Sequence, residues 1–343
     1  MILRIAITFL AAALAHPASA QMLNMLFLGN SFTARHDIAG LVERILEEGD
    51  PTTDVYVQRV IYGGQNMFKH STYYFSQSFI EQSTLTNEQI NGRIARMKEF
   101  LKSDNPPNPE EWGHHQAALG KSYPFAKIHS HIASAIKNHE ALLRDNPKTQ
   151  WDYVVLQSWR DVSDQPNQAY ERYATKLAEV AKAQGADVIL YMTSPETQNE
   201  NPVAEPYNVA SADRDTAVGR RMKKALQPKA VIPVPLAIKN IQTGDADKPG
   251  TELVFRYHND GHPNQTCAFL VANLFYTAIT GKSPEGFEFD SVTENKLKNG
   301  KDPDGGEPTV VFDNKEKAYL QRMACEAVLE FNRGSKNKKE RKN

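Results

Sequence analysis

The sequence predicts an α/β fold, a three-layer α/β/α sandwich in which helices cover both faces of a parallel sheet of about five strands. Short apolar runs alternate with helical patterns along the 343 residues, the order that parallel strands joined by crossover helices require. The runs are continuously apolar rather than alternating, as strands buried on both faces are.

The strands are expected at Leu23–Leu28, Val55–Ile61, Tyr153–Gln157, Val188–Met192 and Ala230–Val234. Helical patterns lie at Ile38–Glu48, Gln168–Gln184, Ala212–Leu226, Gln265–Thr280 and Lys315–Phe331, with Gly185 and Gly281 where C-caps belong. One interval breaks the alternation. Between the second and third strands, an insertion at about 65–150 reads as a helix near Glu88–Lys102, a Pro-rich loop "SDNPPNPEEWGHHQ" and a second helix near Phe125–Leu143. Intervals this long in a compact domain are usually functional. After Gly281, "DSVTENKLKNGKDPDGGEPTVVFDN" is polar and turn-rich and is expected to wrap the surface before the last helix.

Residues 1–20, "MILRIAITFLAAALAHPASA", combine Arg4, an apolar stretch from Ile5 to Ala15 and an Ala18-Ser19-Ala20 end. This is the pattern of a secretory signal peptide cut before Gln21. Its apolar part is well short of the roughly 20 residues that a spanning helix needs, so the expectation is an exported protein, periplasmic or extracellular, with no membrane span. Residues 21–333 then form one domain with the insertion, and 334–343 a solvated basic tail. The net charge of −1 argues against nucleic acid as a partner. Cys267 and Cys325 both fall in helical patterns, and spacing alone does not decide whether they pair.

Four features could carry chemistry, each at a strand's carboxyl end or ahead of a sheet-covering helix, where ligands bind in open α/β sheets. In "MLFLGNSFT", the first strand stops at Gly29-Asn30 and delivers Ser31, as either an N-capping turn or a nucleophile. In "YHNDGHPNQTCAF", His262 could take a serine proton and Asp260 could orient it, or Asp260-Gly261 is a plain turn. Gly63-Gly64 closes the second strand, where paired glycines allow positive φ and an N–H aimed at a developing oxyanion. Gln157 closes the third, with an amide that could donate to the same oxyanion or cap the sheet edge.

This arrangement resembles the SGNH (GDSL-like) hydrolase superfamily, and within it an exported branch whose members read like Gly29–Phe32, Gly63–His70, Trp151–Gln157 and His262–Ala272. The resemblance implies a flavodoxin-like sheet and a serine esterase that needs no cofactor and acts on a small-molecule or carbohydrate ester. The expected substrate is an O-acetyl group on a carbohydrate. It implies Ser31 as nucleophile, His262 as base, Asp260 as acid partner, and an oxyanion site from the N–H groups of Ser31 and Gly64 and the Gln157 amide. Gly63, Trp112 and Tyr74 are expected to contact substrate, with the insertion walling the site. Two positions depart from the family pattern. The Asp three residues before the His is here Asn259, so either Asp260 reaches the ring from one residue closer or the site is a dyad. The family's oxyanion Asn aligns without gaps on Asp161, an acceptor, which leaves Gln157 as the nearest amide.

Two other readings start from the insertion. His114, His115, His129, His131 and His139 could hold a metal, although no recurrent ligand spacing with Glu110, Glu111 or Glu140 appears and His129 and His131 would face apart on a helix. Trp112, Tyr123 and the run Tyr73-Tyr74-Phe75 could stack on sugar rings in a non-catalytic binding protein, or pack the insertion onto the domain.

Overall fold

The computed structural model describes residues 21–120, 122–159, 161–193, 209–244 and 253–334. The expected leader at residues 1–20 and the tail beyond Gly334 lie outside the described residues. Strands β1 (Gln21–Gly29), β2 (Thr53–Ile61), β3 (Tyr153–Gln157), β4 (Asp187–Met192) and β5 (Ala230–Pro233) form one sheet in the order β2-β1-β3-β4-β5. All its pairings are parallel. This is the doubly wound, flavodoxin-like order. The chain steps from β1 to β2 on one side and then crosses to β3 on the other, so a crevice opens between the carboxyl ends of β1 and β3.

Helices follow in chain order: α1 (Ser31–Ala34), α2 (Ile38–Gly49), α3 (Met67–Thr72), α4 (Gln77–Ile80), α5 (Asn87–Phe100) and α6 (Pro109–Ala118). After them come α7 (His129–Asp145), α8 (Ala169–Ala183), α9 (Val209–Leu226), α10 (Val234–Thr243), α11 (Gln265–Thr280) and α12 (Asn314–Arg333). Side-chain alternation assigns the layers. Met25 and Phe27 of β1, with Val155, Ile189 and Ile232, face a core built with α2, α10, α11 and α12. Leu26 and Leu28, with Val154, Leu156 and Leu190, face α3, α5, α7, α8 and α9. Among the described residues no helix is long and apolar enough to cross a membrane.

The insertion is helical where a loop was expected. Asn108 accepts from the Glu111 N–H, Pro109 sits in the first turn and Glu110 and Glu111 follow, which together start α6 in the middle of the Pro-rich stretch. The second expected helix is split, with a 3₁₀ turn at Phe125–Ile128 ahead of α7. In the expected surface wrap, β6 (Ser291–Thr293) and β7 (Thr309–Val311) pair antiparallel and deliver Glu294 to the interior.

Candidate active site

Ser31 opens α1 directly after β1, and its turn is fixed by side chains rather than by sheet pairing. Asn30 Oδ1 accepts the Phe32 N–H at 3.0 Å, and Asn30 Nδ2 donates to the Gln65 carbonyl at 2.7 Å. The Gln157 amide closes the turn from below. Its Oε1 accepts from the Asn30 N–H at 2.8 Å and the Thr33 hydroxyl at 2.6 Å, while its Nε2 donates to Asn30 Oδ1 at 2.9 Å and to the Ser158 carbonyl at 2.8 Å. A Cβ at position 29 would lie 2.4 Å from Gln157 Oε1 and 2.6 Å from Thr33 Oγ1, so any larger residue would displace the amide that closes the turn.

On the far side, His262 Nε2 lies 2.8 Å from Ser31 Oγ, and His262 Nδ1 lies 2.7 Å from Asp260 Oδ1. A carboxylate can only accept, so Nδ1 carries the proton and Nε2 presents its lone pair to the serine hydroxyl. Asp260 reaches the ring from one residue closer than the family pattern because the loop is tight. The Tyr257 N–H donates to the His262 carbonyl at 2.9 Å, the Gly261 N–H to the Tyr257 carbonyl at 3.1 Å, and Gly261 takes a φ of 67°.

A buried ion-pair group supports this pair. The Arg35 guanidinium, 4% exposed, donates to Asp260 Oδ2 and, through Nε at 2.9 Å, to Glu294 Oε1. Burial would push the Asp260 carboxyl up, but the hydrogen bonds from Arg35 and His262 outweigh it and hold the group below the usual carboxylate range. Burial likewise opposes the lowered Glu294 pKa, and Arg35 again wins. His36, at a φ of 57°, places Nε2 2.8 Å from the Pro263 carbonyl, a contact that anchors the chain just past His262.

A cleft of about 490 Å³ opens over Ser31 and is lined by Gly63, Gly64, Trp159, Arg256 and His262 among others. The Ser31, Gly63 and Gly64 N–H groups donate to no described residue, and Gly64 takes the positive φ, 65°, that its type permits. His70 supports this wall from the insertion. Its Nε2–H donates to the Gly29 carbonyl at 2.9 Å and its Nδ1 accepts from the Ser76 hydroxyl at 2.8 Å. Burial pushes its pKa down to about 4, so the ring is neutral.

Three expected site residues lie elsewhere. Gln157, 2% exposed, uses both polar atoms of its amide on the Ser31 turn and has no N–H left for an oxyanion. Tyr74 is fully buried and donates its hydroxyl to Gln65 Oε1 at 3.0 Å. Trp112 is 5% exposed, with its ring against Tyr73 and Phe125 at 5.7 and 5.3 Å. A ring that stacks on a sugar needs an open face, and these two are covered by their own chain. Neither lines the cleft.

The insertion histidines serve separate contacts. His139 donates from Nδ1 to the Ala135 carbonyl and accepts from the Ser78 hydroxyl, His115 packs on Phe68, and His129 meets the Ser103 carbonyl. Among the described residues no three His, Cys, Asp or Glu side chains gather as metal ligands. Cys267 and Cys325 are free thiols.

Sequence reasoning missed Arg35, His36 and Glu294 and gave His70 no role. The signal for His70 was its fixed spacing after Gly63-Gly64, whereas nothing local marks a buried Arg–Glu pair.

No family model matches the chain, and no curated protein matches it. Among solved structures, one described as "a putative SGNH hydrolase from Slackia heliotrinireducens" is similar over 76% of this chain and 100% of its own, at 19% identity and a TM-score of 0.40.

Proposed function

We propose that the protein is a serine hydrolase of the SGNH type that cleaves an ester, an O-acetyl group on a carbohydrate, and that it acts after export through its leader sequence. The observation that carries this reading is the run Ser31 Oγ, His262 Nε2, Asp260 Oδ1, with links of 2.8 and 2.7 Å at the switch point of the sheet. His262 Nε2 takes the Ser31 proton as Oγ attacks the acyl carbon, then returns it to the leaving alkoxide. Asp260, kept ionised by Arg35, stabilises the imidazolium between the two transfers. The free N–H groups of Ser31 and Gly64 are the donors available to the oxyanion. Water repeats the sequence on the acyl-enzyme and releases acetate.

Ser31→Ala tests this reading. It should lower hydrolysis of 4-nitrophenyl acetate by at least about a thousandfold with the melting temperature unchanged, since only the attacking oxygen is lost. A folded variant that retains more than about a hundredth of the rate would remove Ser31 from the nucleophile role.

A further inference from the structure

The loop that carries Asp260 and His262 is fixed from outside its own sequence. Its base is closed by the Tyr257 N–H, which donates to the His262 carbonyl at 2.9 Å. The two residues between that base and Asp260, His258 and Asn259, are exposed and line the cleft. Their backbone N–H groups converge on one carboxylate from 46 and 45 positions away. The His258 N–H donates to Asp304 Oδ2 and the Asn259 N–H to Asp304 Oδ1, each at 2.8 Å. Bonds from N–H to an ionised carboxylate are stronger than neutral ones, and two of them on successive residues set the direction of the chain as it enters Asp260.

Asp304 is held in its own turn. Within residues 301–306, Asp302 Oδ1 accepts the N–H groups of Asp304 at 2.9 Å and Gly306 at 2.7 Å, the Asp302 N–H donates to the Gly306 carbonyl at 3.1 Å, and Gly305 takes a φ of 86°. This turn belongs to the same β6–β7 hairpin that delivers Glu294. The hairpin therefore reaches Asp260 twice, through Glu294 and Arg35 to its carboxylate and through Asp304 to the backbone that precedes it. Asp260 stands one residue closer to His262 than in the family pattern, with only Gly261 between them. A spacer this short leaves little slack, so the 2.7 Å contact from Asp260 Oδ1 to His262 Nδ1 depends on where the backbone places Asp260.

We propose that Asp304 is a positioning residue for the proposed reaction, its two bonds to the His258 and Asn259 N–H groups holding Asp260 where its carboxylate meets His262 Nδ1. This rests on reading Ser31, His262 and Asp260 as the reacting group of a serine esterase. The effect falls on the rate of turnover rather than on substrate binding, and it passes through Asp260.

Kinetics of the full chain with 4-nitrophenyl acetate test it. Asp304→Ala should lower kcat by about tenfold and change KM by less than about twofold, because a misplaced partner of the base slows the chemistry while ground-state contacts remain. Asp304→Asn, which keeps one acceptor oxygen, should recover part of the loss. Asp304 is exposed, so both variants should keep the wild-type melting temperature to within a few degrees. A double-mutant cycle separates this role from a merely structural one. Asp260→Asn alone should cost at least about a hundredfold, and adding Asp304→Ala should then cost less than about twofold more, since nothing is left to position. A further loss of about tenfold in that background, a kcat within about twofold of wild type in Asp304→Ala, or a loss confined to KM would each overturn the proposal. So would an unaffected rate in Asp260→Asn. If Asp304→Ala does not fold, Asp304→Asn carries the same cycle. Loss of the nucleophile reading would show instead as persistent 4-nitrophenyl acetate hydrolysis in Ser31→Ala.

Discussion

The two walls of the cleft treat charge in opposite ways. On the wall built by the Asp260–His262 loop and the β6–β7 hairpin, Arg35 serves two carboxylates at once and Asp260 is bonded on both oxygens. Behind the opposite wall, Asp161, just past β3, keeps Oδ2 buried without a partner, and Lys69 of the insertion is 3% exposed with the Tyr123 ring 5.1 Å from its Nζ. In the first wall Arg35, Asp260 and Glu294 all find partners within the chain, an arrangement that fixes His262 in one tautomer. The second leaves Asp161 Oδ2 without a partner. Satisfied and unsatisfied buried charge therefore sit on different segments of the chain.

The largest expected effect comes from removing the central cation of each wall in the same way. Arg35→Met leaves Glu294, whose side chain is fully buried, without its guanidinium partner and held by the Lys296 N–H at 2.7 Å and His36 Nε2 at 3.6 Å. Breaking a buried pair on one side costs about 3–5 kcal/mol. Lys69 has no ion pair among the described residues, with the Tyr123 ring 5.1 Å from its Nζ, so Lys69→Met should cost less than Arg35→Met. Urea denaturation of both variants measures the contrast. Equal destabilisation would mean that Lys69 is a structural partner of Asp161 and that the two walls are alike. Adding Glu294→Leu to Arg35→Met should recover part of the stability but not any 4-nitrophenyl acetate hydrolysis that Arg35→Met loses, because Asp260 still lacks its second partner.

A smaller effect separates the walls by pH. In the insertion, burial depresses the pKa of His70 and His139 to about 4 and of His115 to about 3. The unfolded chain protonates these rings below about pH 6.5 while the folded one refuses the proton, so their stabilisation is present above that pH and fades toward pH 4. Each contributes a loss of about 2 kcal/mol between about pH 7.5 and pH 5. Asp161 opposes them. Burial raises its pKa to about 7, so its folded form gains stability as pH falls through that value. The net loss expected is about 2–4 kcal/mol. Asp260 and Glu294, both lowered below the usual carboxylate range, contribute to loss only at more acid pH. Denaturation curves at the two pH values check this, and His139→Gln should recover about 2 kcal/mol of the difference. A flat profile would mean that the insertion histidines take up protons in the folded state.

What the sequence made legible follows the same division. β3 at Tyr153–Gln157 and α11 at Gln265–Thr280 fall where their patterns place them, because burial on both faces and a glycine C-cap are local signals. Ser31, Asp260 and His262 were legible for the same reason, since each is set by a turn of a few residues. Arg35 and Glu294 were not, since they meet across 259 positions through a hairpin with three-residue strands. The start of α6 was written in Asn108, Pro109 and two glutamates, but the neighbouring prolines read as a loop. For Trp112 and Tyr74, composition gives ring chemistry but not which faces are covered, and packing against the insertion decides that.

The smallest expected effect concerns a second cation on the first wall. Lys296 Nζ lies 3.9 Å from Asp260 Oδ2, the same oxygen that Arg35 holds, but Lys296 is 68% exposed where Arg35 is 4%. An ion pair at that distance in water is worth about 0–1 kcal/mol and is screened by salt. Lys296→Ala should therefore change kcat/KM for 4-nitrophenyl acetate by less than about fivefold, and raising the salt concentration should shrink even that. Arg35→Lys, which keeps the charge but loses the fork that spans two carboxylates, should cost more than Lys296→Ala despite being the milder change. If Lys296→Ala proved the more damaging of the two, the charge at the rim rather than the buried fork would be setting Asp260. The first wall would then depend on a solvent-exposed group rather than on its buried ion pairs.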